Sequence, residues 1–493
     1  MPAMRTAARP ATTRCLVVLL AWVGILAAIT TIAQRYGFSD LAVDRAAIVH
    51  ALAGDGLYAY RSPLTHLGTA LPPPALFVVS PAVFLPLPLA GWLTALAGVA
   101  ALGLSMIALV SPVARRYGRR PWPVVLAASA LALTIEPVRA ALGLGTLDLL
   151  AFGLVTADIV ALRRSAWARS RAAWWPGRPA SSPPRGRTPG DLLRRGWSTG
   201  AWAGLGVGLA TALAVTPAFF VVYLAVTRQW RAALTATGTA LAAALAAWLI
   251  SPRETAAWLG EVLWRIDRTG PVDAIANQSL AGVLARIYDS ATAPVLLWLS
   301  FSLLLIAVGL IRARAAHADG DEIAAFTLVG LTVAIVGPVT DTHELIWILP
   351  AVLILIDAAA RRRVTSPRRP PGRRPGLTFA VAAGLTYLLF VLAPMWSLRD
   401  SFSDNSYALA LILLVNALPW RPGVAPAFPI NRWLGRVSPR ARRKAASADL
   451  GDEGAARSAG NSPGPARRVG PASHRPGGPL PATAIPPPRD PGR

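Results

Sequence analysis

Residues 75–113 read ALFVVSPAVFLPLPLAGWLTALAGVAALGLSMIALVSPV, and no charged residue interrupts them. About 20 apolar residues in a helix cross the hydrocarbon core of a bilayer, so this stretch is too long for one ordinary span. Pro81, Pro86 and Pro88 interrupt its first half. We therefore expect a broken or re-entrant piece before a full span, because irregular backbone at membrane depth survives only inside protein. The basic cluster at residues 115–120 then marks the cytoplasmic side.

The rest of the chain has the same apolar character. It contains 493 residues, of which 54% are hydrophobic and only 15% are charged, whereas about a quarter of the residues in a soluble chain are charged. Its mean hydropathy is +0.48. The charged residues form short basic clusters between long apolar runs, which is typical of a polytopic membrane protein. The sequence predicts an all-α, polytopic transmembrane helical bundle with roughly ten to twelve spans, some of them broken or re-entrant.

Net charge and cysteine content exclude several classes of function. The formal net charge is +25, but in a membrane chain the basic residues act as topology signals and contact anionic lipid head groups. We therefore expect membrane lipids, and no nucleic acid, as partners. The single cysteine, Cys15, excludes an intramolecular disulfide and a cysteine-based metal cluster.

Charge and apolar runs together predict the topology. Residues 1–14 form a basic cytoplasmic N-terminus, and residues 15–420 form the transmembrane domain, which begins with an apolar run at 15–33. Polar segments at 34–74 and 251–291, and the turn at 340–344, lie on the external face by the positive-inside rule. Residues 421–493 are rich in Pro, Gly, Ala and Arg, and we expect a disordered basic cytoplasmic tail. Further apolar runs lie at 123–135, 142–162, 200–226 (broken by Pro217), 232–250, 295–311, 324–339, 345–360, 379–392 and 408–418.

Acidic and histidine residues near the predicted external face are the candidates for chemistry. The sequence contains no Walker loop, dinucleotide fingerprint, HExxH or paired CxxC, so we expect neither ATP hydrolysis nor a cofactor or metal site. Asp40 follows the first apolar run closely. Its carboxylate could take the proton of an acceptor hydroxyl as a general base, or it could cap a helix after Ser39.

The short turn TDTHE at residues 340–344 is the second candidate. Apolar runs on both sides place Asp341, His343 and Glu344 close to the membrane interface. One interpretation is substrate binding, with an imidazolium at His343 stabilising negative charge on a phosphate leaving group. A solvated turn, a helix cap and metal ligation by the same trio are the other interpretations.

Five segments between residues 39 and 360 have a distinctive order. They are DLAV at 40–43 with GLY at 56–58, PP at 72–73, the run from Gly204 to Arg231 containing TPAF and TRQWR, NQSL at 277–280 with Gly282 and Arg286, and PVTDTH at 338–343 with WILP at 347–350. In this order they resemble glycosyltransferase family 87, the actinobacterial polyprenyl-phosphate-mannose-dependent alpha-mannosyltransferases of the GT-C fold.

The chain departs from the family pattern at several positions. Leu71 stands where the family has Tyr, and Ala214 stands where it has Lys. The family's Gly-Gln-x-Asn pattern ends here in Asp148. In the last segment Asp341 replaces Trp, and Glu344 replaces the second His of a pair. Two cationic side chains that could contact a phosphate are therefore absent from these positions.

The resemblance implies transfer of a hexose, most often mannose, from a polyprenyl-phosphate sugar to a glycolipid or cell-envelope polysaccharide on the external face of the cell membrane. It makes Asp40 the base. The residues expected to bind substrate are Tyr58, Arg268, Asn277, Gln278, Arg286, Asp341, His343 and Glu344, of which the two arginines are candidates for phosphate contacts.

Two other functions remain open from the sequence. A transporter or flippase would explain many spans and broken helices, and it would place charges near the bilayer centre. Glu136, Asp148 and Asp158 lie within apolar stretches and favour it. An inactive relative that acts as a scaffold in an envelope-synthesis complex would explain the absent Lys and His.

Overall fold

The structure is a computed structural model that describes residues 23–24, 26–63, 66–174, 189–265, 270–365, 376–398 and 400–422. Within these ranges the regular elements are all helices, which confirms the predicted all-α bundle. The predicted N-terminus, about half of the first apolar run, Arg268 and nearly all of the C-terminal tail lie outside the described residues.

The described ranges contain 18 α-helices. They are α1 (26–36), α2 (Ser39–Leu52), α3 (Pro73–Val79), α4 (Leu87–Arg116), α5 (Pro121–Ala132), α6 (Glu136–Leu144), α7 (Asp148–Trp174), α8 (Pro189–Thr199), α9 (Leu205–Leu213), α10 (Ala218–Val226), α11 (Trp230–Ile250), α12 (Pro252–Gly260), α13 (Leu280–Ile287), α14 (Val295–Ala318), α15 (Glu322–Val336), α16 (Ile348–Thr365), α17 (Leu377–Leu392) and α18 (Ser406–Ala417). Short 3-10 turns lie between some of them, including Ser80–Phe84, Thr342–Trp347 and Pro394–Trp396.

Five of the described helical segments are long and apolar enough to cross a membrane. They are Leu87–Arg116, Trp230–Ile250, Val295–Ala318, Thr342–Val364 and Leu377–Trp396. A sixth arises if α5 and α6, which are bent by 71° relative to each other, form one broken span. The multi-span bundle is thus present, and the figure of ten to twelve spans stays a prediction.

The proline-rich entry at residues 75–113 is broken as expected. α3 begins with prolines in its first turn and passes directly into the 3-10 turn Ser80–Phe84, and α4 then begins after Pro86. Proline suits a first helical turn because the amide hydrogen it lacks would have no partner there. The long helix α4 therefore starts within the proline-rich stretch, with Pro88 in its first turn.

The helices in this region begin and end at other positions than the predicted apolar runs at 123–135 and 142–162. The first run ends in the bend between α5 and α6, and residues 136–144 form a helix of their own. Gly145 ends α6 with a left-handed φ of 79°, which glycine adopts without steric cost. The bend and this turn place Glu136 and Asp148 at helix starts, where the sequence alone suggested mid-span positions.

Helix α9 packs closely between α7 and α11. A Cβ added to Gly206 would meet the Leu154 carbonyl oxygen of α7, and one added to Gly208 would meet the Ala236 carbonyl oxygen of α11. Asp158 on α7 caps this helix, since its Oδ2 accepts a hydrogen bond of 2.7 Å from the Val207 amide. Small residues let the backbones approach, as in other membrane helix pairs.

The segment that leads into α2 is fixed by two other helices. Phe38 has a left-handed φ of 54°, and its amide donates to the Gly143 carbonyl oxygen at 2.9 Å. The Phe38 ring occupies the space where a Cβ on Gly91 of α4 would lie. The start of α2 is therefore held against α4 and α6.

The predicted external segment at 251–291 contains two helices in its described part, α12 and α13. At the opposite end of the bundle, the predicted tail begins at Arg421, but this residue is bound to the folded domain. Its amide donates to Asp321 Oδ2 at 3.0 Å, and its guanidinium contacts Asp357 and Tyr117. The folded domain therefore includes Arg421.

Candidate active site

A polar cavity of about 780 Å³ lies where several helix ends meet. Its walls come from the starts of α2, α6 and α7, the break between α9 and α10, and the segment that precedes α16. The titratable groups that line it are Arg35, Tyr36, Asp40, Asp44, Glu136, Asp148, Asp341, His343 and Glu344. Segments more than 300 residues apart in the sequence thus contribute to one cavity.

Asp40 lies in the first turn of α2, and it does not cap that helix. The N-cap residue is Phe38, which makes no side-chain cap hydrogen bond. The Ser39 hydroxyl donates to Asp40 Oδ1 at 3.3 Å. Asp40 lines the cavity, and its place near a helix N-terminus favours its ionised form.

Burial governs the proton affinity of the carboxylates outside the spans. It raises the pKa of Asp40, which His343 lowers and Asp341 raises. Burial also raises the pKa of Asp341, which His343 lowers and Asp148 raises. Asp44 lies one helical turn after Asp40, and burial raises its pKa to about 7 although a hydrogen bond with Thr69 opposes the change. A raised pKa brings a carboxylate toward the range where it exchanges protons near neutral pH.

His343 is surrounded by acidic groups. Its Nε2 lies 3.5 Å from Asp148 Oδ2, and the two side chains are 13% and 24% exposed. Glu344 follows His343 and lines the cavity beside it. An ion pair of this length in a partly dry site favours an imidazolium over a neutral ring.

Glu136 was not among the residues expected from the sequence to bind substrate, yet it lines this cavity. It is only 3% exposed, and its Oε1 accepts hydrogen bonds from Thr342 Oγ1 at 3.0 Å and from Trp396 Nε1 at 3.4 Å. Its Oε2 has no hydrogen-bond partner. Pro137 directly after it is a helix-start signal that could have located Glu136 at a helix end.

The amides expected to bind substrate do not line the cavity. Asn277 donates to the carbonyl oxygens of Val272 and Pro338 and accepts from the Thr340 amide at 3.0 Å. Gln278 also bonds only to backbone groups, and both side chains are fully buried. The Asn277 side chain and the Gln278 backbone amide both bond to Thr340, and they thereby hold the segment before Asp341 in place.

Three other expected site residues also lie away from the cavity lining or outside the described residues. Arg286 donates to the carbonyl oxygens of Ala274 and Asn277 and to Asn405 Oδ1. The Tyr58 hydroxyl donates to the Leu71 carbonyl oxygen at 2.8 Å. Arg268 is outside the described residues.

Positive charge in the cavity is scarce. Among the described lining residues Arg35 is the only lysine or arginine, and Ala214, where the resemblance expects a lysine, faces the same cavity. In the described ranges, no three His, Cys, Asp or Glu side chains are grouped so that they could hold a metal ion.

The arrangement has the parts that a transfer to a hydroxyl group requires. Asp40 supplies a carboxylate that can accept a proton, and His343 supplies a cation that can stabilise a leaving oxyanion. Both face one cavity that is large enough for a small ligand. Asp148 and Glu136 supply further acceptors for hydroxyl groups.

Comparison with known proteins gives a family match and several similar sequences. The sequence model described as "Glycosyltransferase family 87" matches residues 71–338. A polyprenol-phosphate-mannose-dependent alpha-(1-2)-phosphatidylinositol mannoside mannosyltransferase of Mycobacterium tuberculosis is 29% identical over 245 residues, which are 50% of this chain and 49% of that protein. The protein of the same description from Mycolicibacterium smegmatis is 27% identical over 253 residues, which are 50% of this chain and 49% of that one. The chain thus spans about half the length of the curated relatives it matches.

Solved structures give a weaker similarity. ArnT from Cupriavidus metallidurans in the apo state aligns with a TM-score of 0.37 and 19% identity, over 82% of this chain and 76% of that chain. The same protein bound to undecaprenyl phosphate aligns with a TM-score of 0.33 and 18% identity, over 81% of this chain and 76% of that chain.

Proposed function

The chain belongs to glycosyltransferase family 87, whose model matches more than half of its 493 residues, and from this premise we propose that it is a hexosyltransferase of the membrane. The donor is a polyprenyl-phosphate sugar, and the hexose is mannose, the sugar in the names of the relatives. The acceptor is a hydroxyl group of a glycolipid or cell-envelope polysaccharide. The reaction takes place in the polar cavity, on the external face of a multi-pass GT-C type bundle.

The proposed reaction exchanges one bond at the anomeric carbon of the donor sugar. The acceptor oxygen forms a bond to that carbon, and the bond from the carbon to the phosphate oxygen breaks. Asp40 takes the proton of the acceptor hydroxyl, and polyprenyl phosphate leaves with the electron pair of the broken bond. His343 stabilises the charge on the departing phosphate.

The observation that carries this proposal is the meeting of Asp40 and His343 in one cavity. The two residues belong to segments that the family resemblance singled out separately, and burial raises the pKa of Asp40, which His343 lowers. Asp341 and Glu344 line the same cavity, and we propose that they contact sugar hydroxyls.

The buried polar residues have a supporting role in this proposal. The Asn277 side chain and the Gln278 backbone amide bond to Thr340 and fix the segment that carries Asp341. Arg286 ties the same region to Asn405. We propose that they act on substrate through that segment, and Tyr58 through its bond to Leu71. Arg268 remains a candidate for a phosphate contact.

The test is transfer of labelled mannose from polyprenyl-phosphate mannose in membranes that contain the wild type or Asp40→Asn. We expect the substitution to lower the rate by about 10²–10⁴-fold at equal protein levels. Asp55→Asn is the matched control, since Asp55 follows the same helix but does not line the cavity. Unchanged transfer in Asp40→Asn would remove Asp40 from the mechanism. The absence of transfer by the wild type from any lipid-linked hexose would favour transport or a scaffold role.

A further inference from the structure

A small recess of about 60 Å³ borders the polar cavity. It lies between α7, α10, α15 and the segment before α16, and it shares Asp148, Ala214, Thr216 and Glu344 with the lining of the polar cavity. Among the described residues that line it, none is Lys, Arg or His. We refer to it as the acidic recess.

The two carboxylates of the acidic recess differ in their partners. Asp148 Oδ2 lies 3.5 Å from His343 Nε2, so Asp148 is already engaged. Across the described part of the chain, the half-buried Glu344 carboxylate makes no hydrogen bond and no ion pair. A charge without a partner is costly where water is partly excluded. A proton or a bound cation must therefore neutralise Glu344.

Aromatic rings form another part of the same lining, and they point to a cation independently of the carboxylates. Phe152, Phe220 and Trp347 all line the acidic recess. The ring centroids of Phe152 and Phe220 each lie 5.1 Å from that of Trp347. Aromatic rings attract cations to their faces, and several rings together form the sites that bind ammonium groups. Rings and carboxylates together therefore favour an ammonium ion over an anion in this recess.

The positions at which the chain departs from the family pattern meet at the acidic recess. Ala214, Asp148 and Glu344 stand where that pattern has Lys, Asn and His, and all three line the recess. Each replacement removes positive charge or adds negative charge. An ammonium group of a ligand in the recess would restore the positive charge that a lysine at position 214 would supply.

We propose that the acidic recess binds a protonated primary amino group of the acceptor, so that the acceptor is an amino sugar. This inference rests on the proposed function, because that function makes the donor sugar mannose, which has no amino group. Glu344 then binds an amino group that stands in place of a sugar hydroxyl. A volume of about 60 Å³ has room for an ammonium group. A neighbouring hydroxyl of the same sugar faces Asp40 in the polar cavity.

The test compares three small acceptors that differ at one position of the sugar ring. They are the methyl glycosides of glucosamine, N-acetylglucosamine and glucose, and the donor is polyprenyl-phosphate mannose in membranes that contain the full chain. We expect kcat/KM for the glucosamine glycoside to exceed that for the other two about ten- to hundredfold, the contribution of a charge-assisted hydrogen bond. Equal values for the three acceptors, or a preference for a neutral one, would overturn the proposal.

Two variants of the acidic recess should reduce this preference. Glu344→Gln removes the negative charge and keeps the shape of the side chain, and we expect it to lower the ratio of kcat/KM between the glucosamine and glucose glycosides about tenfold. Ala214→Lys places a competing ammonium group on the same wall and should lower the ratio as well. Asp289→Asn is the matched control, since Asp289 is exposed and lines neither the recess nor the polar cavity. A ratio that both recess variants leave unchanged would contradict the assignment.

Binding without turnover separates this proposal from the proposed function. Saturation-transfer NMR on the wild type and Glu344→Gln measures binding of the same three glycosides in the absence of donor. Binding that needs both the amino group and Glu344, with no transfer from any lipid-linked hexose, would refute the proposed function and leave the amine site standing. Mannose transfer without a preference for the amine would do the reverse. If polyprenyl-phosphate glucosamine gains from Glu344 and the glucosamine acceptor does not, the amine belongs to the donor and the proposal is wrong.

Discussion

His343 Nε2 lies 3.5 Å from Asp148 Oδ2, across the polar cavity wall between the start of α7 and the segment before α16. The resemblance expects an asparagine at position 148. Here Asp148 supplies an acidic side chain in place of a neutral amide. It favours a protonated imidazole at His343, because opposite charges within about 4–6 Å stabilise each other.

Asp148→Asn tests this pair. The groups that also face His343 are Asp40, Asp341 and Glu344, and they remain in place. We expect the high-pH decline of the transfer rate, where the imidazole loses its proton, to move down by about one pH unit or more. The rate below that decline should be largely retained. An unchanged pH profile would show that Asp148 does not control the protonation of His343.

The low-pH limb of the same profile reports on Asp40. Asp341 raises the pKa of Asp40, whereas His343 lowers it. A base works only when deprotonated, so Asp341→Asn should extend activity to lower pH, and His343→Gln should shift the limb to higher pH. Asp55→Asn, outside the cavity lining, should leave the limb unchanged. Shifts of the same sign in both cavity variants would argue against Asp40 as the titrating base.

The sequence predicted the apolar segments and the break in the proline-rich stretch at 75–113, but not the bend before Glu136 or the turn before Asp148. It placed Glu136 and Asp148 inside spans because hydrophobic composition does not report where a helix turns. The 71° bend before Glu136 and the left-handed Gly145 before Asp148 bring both carboxylates to helix starts at the cavity. These backbone changes depend on packing against distant helices, which a single sequence does not reveal.

The sequence indicated which polar side chains matter, but it did not show whether each one binds a ligand or the protein's own backbone. Asn277 is buried and fully used in hydrogen bonds to backbone groups, although its segment suggested substrate binding. An amide can bind either a ligand or the backbone, and its tertiary partners decide between them. Asp40, Asp341, His343 and Glu344 line one cavity because the segments that carry them meet at the same end of the bundle.

Asp158 has a structural role, whereas the transporter alternative would give its charge a role in moving a substrate. Its Oδ2 accepts from the Val207 amide at the start of α9, so the carboxylate acts as a helix cap. We expect Asp158→Ala to lower the free energy of unfolding by about 1–2 kcal/mol, seen as a lower melting temperature in detergent. Transfer per folded molecule should be unchanged at temperatures well below unfolding. A large loss of transfer with unchanged stability would instead assign Asp158 a direct functional role.

Asp44 should make the fold more stable in mildly acidic than in alkaline solution. Its pKa is raised by burial from an ordinary value near 4 to about 7, so the folded state binds the proton more tightly than the unfolded state. The stabilisation is complete below about pH 4 and is lost as pH rises toward 7, by up to about 4 kcal/mol. Asp44→Asn should remove this part of the pH dependence and raise the melting temperature at pH 8. An identical slope in the two proteins between pH 4 and 7 would contradict the assignment.

Arg35 carries the remaining prediction, because the cavity is rich in carboxylates and the proposed donor is an anion. Among the described lining residues it is the only lysine or arginine, and the expected lysine at position 214 is an alanine on the same cavity wall. We expect Arg35→Gln to raise the KM for the donor about ten- to hundredfold, since a charge-assisted hydrogen bond to phosphate contributes about 1.5–3 kcal/mol. In the double variant Arg35→Gln with Ala214→Lys, a lysine on the same wall should restore part of the affinity. Arg119→Gln, an exposed arginine outside the cavity, is the control. If Arg35→Gln lowers the KM or leaves it unchanged, Arg35 does not hold the phosphate, and the cation must come from His343 or from outside the described residues.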